Sequence, residues 1–166
     1  LASPMATIRI VSGSPFLENE LSKEFEISNE EADIGILVLK SSSANDSKII
    51  LRESFQESYD AILSMLEAGV ERILTVGDFS TIQGERWKSL GQIWEPENGY
   101  SINSVQGLSH LIFEVILRSK SKESRIYSAK LEKEPTSQWL AKHIRMILAN
   151  EDSNFREHQG IVHILD

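Results

Sequence analysis

The sequence predicts an α/β fold: an open parallel sheet of about five to six strands with helices on both faces. Three observations carry that reading. Short β-prone runs alternate with amphipathic helical stretches along the whole chain. One run, Ile34-Gly35-Ile36-Leu37-Val38-Leu39, is apolar without interruption, the pattern of a strand covered on both faces. From Ser54 to Gly84 the chain reads as helix, tight turn, buried strand and polar loop, which is half of a βαβ unit. With 166 residues, 40% hydrophobic and 25% charged, a single domain with its own core is expected.

The elements follow in order. Leu1-Ala2-Ser3-Pro4 before Met5 reads as an expression leftover, which leaves 5–166 as one shortened domain. Thr7-Ile8-Arg9-Ile10-Val11 is a strand that ends in the turn Ser12-Gly13-Ser14-Pro15. A helix is expected from Phe16 to Phe25, with Leu17, Leu21 and Phe25 on one stripe. Glu18 and Glu20 suit its positive end but would repel a phosphate placed there. Ile34–Leu39 is the next strand. Ser54 with Glu57 has the form of a capping box, so a helix should start there and bury Phe55, Tyr59, Ile62, Leu63 and Leu66. Gly69 stands where a helix end favours positive φ, and Arg72–Val76 forms a strand behind it.

Residues 85–99, with Trp87, Trp94, Pro96 and two glycines, show no clean period and read as a long surface loop. Ser101–Arg118 is the strongest helix, and Val105, Leu108, Leu111, Ile112, Val115 and Ile116 form the face expected against the sheet. Ile126–Leu131 is a strand, Thr136–Ala149 a helix burying Trp139, Leu140, His143, Ile144, Ile147 and Leu148, and Ile161–Leu165 a last buried strand.

Composition excludes several classes. A net charge of −8 argues against nucleic acid, and the densest basic patch, Arg118 to Lys122, is followed at once by Glu123. No apolar run reaches the roughly 18 residues of a membrane helix. The absence of cysteine rules out disulfides and thiolate metal sites, and a cytoplasmic location is expected. His110, His143, His158 and His163 have no spacing that suggests paired metal ligands, so no metal is expected. Asp78, Ser80 and His163 lack the G-x-S-x-G elbow of a hydrolase triad. Trp87 and Trp94, as loop aromatics, are candidates for a protein interface, with packing over the sheet end the alternative.

The order of these pieces resembles the short-chain dehydrogenase/reductase family, in particular its extended, epimerase-like branch. The likeness runs roughly from Asp33 to Asp166, with a trace at the start. Ala32-Asp33-Ile34-Gly35-Ile36-Leu37-Val38 resembles the family's central strand, and Ala68 to Val76 is similar to the passage before its catalytic serine. Phe79 to Gly84 resembles the serine loop, Gly99-Tyr100 with its helix the catalytic-tyrosine region, and Gly160 to Asp166 the last strand. The resemblance implies a Rossmann-like sheet, truncated in its first half. It places the catalytic serine on Ser80 or Thr81, the tyrosine on Tyr100 and the lysine position on Ser104. A neutral hydroxyl there does not lower a phenol pKa from about 10 as a cation does. Three glycines are implied after the first strand. Only Gly13 is present, with Ser14 beside it. The adenine half is reduced to something near Glu26-Ile27-Ser28.

From this we expect a non-catalytic domain with a structural, accessory or partner-binding role, comparable to the structural subdomain of ketoreductases. It would take no cofactor, would self-associate or bind a protein through Trp87 and Trp94, and would bind neither nucleic acid nor membrane. One alternative is an NAD- or NADP-dependent reductase or epimerase using Tyr100 and Ser80 with Lys88 as a displaced lysine. The other is a small-molecule sensor at the C-terminal strand ends.

Overall fold

The structure, a computed structural model, describes residues 5–39, 42–78, 105–131, 133–151 and 155–164. In chain order these form β1 (Thr7–Val11), α1 (Pro15–Leu21), β2 (Glu26–Ile27), β3 (Ile34–Val38), α2 (Ser47–Leu51) and α3 (Glu57–Glu67). There follow β4 (Arg72–Asp78), α4 (Val105–Lys120), β5 (Arg125–Leu131), α5 (Ser137–Leu148), β6 (Phe155–His158) and β7 (Ile161–Ile164). A single sheet of seven described strands runs in the order β2-β1-β3-β4-β5-β7-β6. Every neighbouring pair is parallel except β6 with β7. This is the Rossmann-like α/β sheet expected, extended by the two short edge strands β2 and β6.

Helices cover both faces because strands β3, β4, β5 and β7 bury side chains on both, while β1 buries Ile8 and Ile10 on one. On one face, Leu17 and Leu21 of α1 and Leu140, Ile144 and Ile147 of α5 pack over Ile8, Ile10, Ile36 and Leu74. On the other, Ile62 and Met65 of α3 and Phe113 and Leu117 of α4 pack over Leu37, Ile73, Ile126 and Ile161.

The shortened first half has a simple physical form. β2 pairs only with Thr7 and Ile8, at the beginning of β1. The chain therefore ends β2 near the sheet's N-terminal edge and reaches β3 through residues 28–33 without a helix. Asp33 closes this hook: its N–H donates to the Thr7 carbonyl at 2.8 Å, and its Oδ2 accepts from the Thr7 N–H at 2.8 Å.

Local structure departs from the sequence reading at four places. Ser54 does not cap a helix. Asp46 does, accepting from the Lys48 N–H at 2.8 Å, and α2 runs through a π-helical turn (Arg52–Gln56) into α3 with Ser54 buried inside it. The upstream Asp offers a charged acceptor to the free N–H groups, so the helix starts eight residues earlier than the Ser54 box suggests. α1 ends at Leu21, and Phe25 reaches the core from a following turn. β6 forms a hairpin with β7 through Gln159 (φ 51°) and Gly160 (φ 83°), a two-residue turn with both residues left-handed. Lastly, α4 does not lay Leu108, Ile112 and Val115 on the sheet. Those side chains face outward, while Ser109, His110 and Glu114 are buried beside Phe113 and Leu117. Gly69 takes the expected positive φ, 78°, and the Val70 N–H reaches back to the Met65 carbonyl at 3.1 Å to close α3.

Candidate functional site

β1 sits beside β3, and the chain leaves the two strands in opposite directions, β1 toward β2 and β3 toward β4. Such a reversal opens a crevice beyond the C-terminal strand ends. Here one wall is the turn after β1. Gly13 holds φ 68°, which an L side chain adopts only with strain, and the Ser14 N–H donates to Ser12 Oγ at 3.1 Å. Ser14 then caps α1, its Oγ accepting from the Leu17 N–H at 3.3 Å, and Pro15 takes the first helical position.

The facing wall comes from the approach to α5. Thr136 Oγ1 accepts from the Trp139 N–H at 3.0 Å and caps this helix of 12 residues, whose positive end is turned to the cleft. Glu134, Pro135, Ser137 and Gln138 complete that side, and Phe16, Leu17, Glu20 and Val38 the floor and rim. The cleft is open to solvent on one side and offers a volume of about 760 Å³, within the range of small-molecule and cofactor sites. Phe16, 72% exposed, offers a flat apolar surface at its edge. The polar lining is hydroxyls, main chain and the Gln138 amide, plus the carboxylates of Glu20 and Glu134. The cleft can therefore donate hydrogen bonds and stack a ring.

Of the residues singled out in the sequence, Gly13 and Ser14 line this cleft together. Ser80, Thr81, Tyr100, Ser104, Lys88, Trp87 and Trp94 lie outside the described residues. The α5 wall was not foreseen, although Pro135-Thr136 ahead of a helical period is a recognisable start signal.

A second polar cluster lies inside the fold, between α4 and the sheet. Lys130 of β5 is buried, donates from Nζ to Ser128 Oγ at 2.8 Å and pairs with the Glu114 carboxylate of α4. Its register neighbour in β4 is Gly77, where an added Cβ would stand 3.1 Å from Lys130 Cδ, so the glycine leaves space for the lysine stem. His163 is the register neighbour of Ser128 in β7. Burial first, then the positive charge of Lys130, His158 and Arg118, lowers its pKa from 6.5 to about 3. His143 is a fully buried histidine of the core, with Nδ1 2.8 Å from the Trp139 carbonyl. Among the described residues no group of three or more His, Cys, Asp or Glu is placed to hold a metal, and no helix is long and apolar enough to cross a membrane.

No family model matches the chain, and no curated protein matches it. Solved structures do. RMD from Pseudomonas aeruginosa, complexed with NADPH, aligns with a TM-score of 0.55 at 11% identity, over 76% of this chain and 53% of that one. A putative epimerase from Bacteroides thetaiotaomicron aligns with a TM-score of 0.51 at 16% identity, over 96% of each chain. This chain thus spans about half the length of RMD.

The RMD complex corrects the expectation that no cofactor is involved, since it is a structure of the same fold carrying a nucleotide. The physical reason lies in the turn. Counting glycines registers how closely a backbone can approach a pyrophosphate, but the cleft is made by strand order and by the left-handed Gly13, and both are present. The fold of this chain is the Rossmann-like parallel sheet that the sequence resemblance implies, shared with RMD and with the putative epimerase.

Proposed function

We propose that the chain is a nucleotide-binding domain that holds NAD or NADP in the cleft between α1 and α5, in an accessory role without turnover of its own. The observation that carries this is the crevice at the β1–β3 reversal, about 760 Å³ in volume and walled by the Gly13 turn. Gly13 and Ser14 would meet the nucleotide from one side and Ser137 and Gln138 from the other, with Phe16 against a ring. When bound, such a cofactor supplies hydride-transfer chemistry. Of this chain's own residues, those in the cleft bind and orient. The accessory role is supported by Ser104, which stands where the resemblance calls for lysine. Contact with a protein partner through Trp87 and Trp94, and a cytoplasmic setting for a chain without cysteine, belong to the same proposal and rest on sequence.

The test is thermal unfolding and calorimetric titration with NADH and NADPH, followed by absorbance at the reduced-nicotinamide band with a panel of carbonyl substrates. Ligand at about 100 times its Kd should stabilise the folded state by about 2.7 kcal/mol. Ser12→Asp, which adds a carboxylate to the cleft wall, should weaken that effect. No shift with either nucleotide at millimolar concentration refutes the binding reading, and substrate-dependent oxidation refutes the accessory one.

A further inference from the structure

The two sides of the cleft are built unequally. A dinucleotide lies across a crevice of this kind, its adenosine over the first βαβ half and its nicotinamide over the second, with the pyrophosphate at the turn between. The second side is complete: β3 contributes Val38, and the approach to α5 contributes Glu134, Pro135, Ser137 and Gln138. The first side stops short. No residue from 21 to 37 lines the cleft. β2 ends level with Ile8, where the Ser28 N–H donates to the Ile8 carbonyl at 2.8 Å, and β1 continues through Arg9, Ile10 and Val11 before its turn. At about 3.3 Å per residue, the wall on that side ends roughly 10 Å below the turn. The hook that follows does not refill the gap. Arg9 Nη1 donates to the Glu30 carbonyl at 3.3 Å and to the Ser64 carbonyl of α3 at 3.5 Å, so residues 28–33 are drawn to the face opposite α1 and α5. Val11 at the top of β1 and Ile27 at the end of β2 are left 40% and 37% exposed.

We infer, resting on the nucleotide reading above, that the cleft takes only the nicotinamide mononucleotide half of the cofactor, and that the adenosine half of a bound dinucleotide stays in solvent. Affinity comes from surface removed from water and from hydrogen bonds to groups already held in place. On the α5 side a ribose and a carboxamide meet the Ser137 hydroxyl and the Gln138 amide, both of which donate and accept, and Phe16 offers its ring at the edge. On the β2 side an adenine ring meets no facing wall, because β2 is two exposed residues and the hook lies on the other face of the sheet. Docking there would order the adenosine without drying it, which costs conformational freedom and returns little. NADP differs from NAD by a phosphate on the adenosine ribose, and in this chain that phosphate lies outside the cleft. Its added charge of about −1.5 to −2 is then screened by solvent, so the two cofactors bind alike.

The experiment is calorimetric titration of the full chain with NADH, NADPH, reduced nicotinamide mononucleotide and AMP, the last two being the halves of NADH. The mononucleotide and NADPH should each bind within about tenfold of NADH, and AMP more than about tenfold more weakly than the mononucleotide. Two substitutions locate the contact. Ser137→Asp on the α5 wall should weaken NADH and the mononucleotide by the same factor, while Ile27→Asp on the open side should change neither. NADH binding more than about tenfold tighter than the mononucleotide overturns the proposal. So does AMP that matches the mononucleotide, a clear preference between NADH and NADPH, or a loss of NADH affinity alone in Ile27→Asp. Each of these outcomes leaves the nucleotide reading standing. If no nicotinamide compound binds, that reading falls and the half-site falls with it.

Discussion

His163 makes the fold sensitive to acid, and its share can be isolated by one substitution. It lies in β7 on the face under α4, with Ser128 beside it in register, Arg156 opposite on β6 and the His158 ring centroid 6.5 Å away. Burial, reinforced by Lys130, His158 and Arg118, lowers its pKa to about 3, so the folded chain keeps the imidazole neutral. In the unfolded chain it protonates below about 6.5. Between these values the unfolded state binds more protons, so stability falls as pH falls. It is untouched above about 6.5 and reduced by about 1.4 kcal/mol for each unit below it. By about pH 5 the loss from this residue is about 2 kcal/mol. His163→Gln keeps a polar side chain of similar length and removes the titration. Urea unfolding of both chains at several pH values from about 7.5 to about 4.5 gives the stability difference. The substituted chain should gain about 2 kcal/mol on wild type between about pH 7 and about pH 5. A difference that stays flat across this window refutes the reasoning, because a carboxylate elsewhere titrates equally in both chains.

Two further substitutions test the packing. Glu114→Gln removes the carboxylate paired with the buried Lys130 ammonium and should cost about 3–5 kcal/mol in urea unfolding, while joint replacement by Glu114→Leu and Lys130→Met should recover most of that. Ile36→Ala in the fully buried centre of β3 should cost about 2–5 kcal/mol, and a loss below about 0.5 kcal/mol would mean that β3 is not central.

β3 was legible because burial on both faces leaves little but apolar and β-branched residues, so Ile34 to Val38 needs no partner to be recognised, and β1 because Ile8 and Ile10 alternate with polar neighbours before a turn. Gly69 was legible for a local reason, since a helix end followed by a strand needs a left-handed residue. β2 was not, because two exposed residues carry no pattern. β6 was missed because Phe-Arg-Glu-His alternates only weakly and Gln-Gly is a muted form of the Asn-Gly turn signal. Half of the cleft was readable at Gly13 and Ser14. Its other wall lies some 120 residues downstream, and only the sheet brings Thr136 to it. The orientation of α4 was misread for a related reason. The helix carries two apolar stripes, Leu108-Ile112-Val115 and Phe113-Leu117, and its sequence alone favours neither.

What decides between the stripes is one residue of the sheet. Lys130 points from β5 to the α4 face, where Gly77 leaves room for its stem and Ser128 takes one of its hydrogen bonds. A buried ammonium without an anion is far more costly than an exposed leucine, whose exposure forfeits only about 1.5–3 kcal/mol of burial. α4 therefore turns Glu114 inward, and residues 108, 112 and 115, on the other side of the helix, are turned outward by the same rotation. The ion pair and the outward stripe are then two results of one constraint. Relieving it with Glu114→Leu and Lys130→Met removes the reason for the rotation, so the doubly substituted chain should be free to bury Ile112 against its own sheet, and Ile112→Ala should then cost clearly more in urea unfolding than the same change made in the unsubstituted chain.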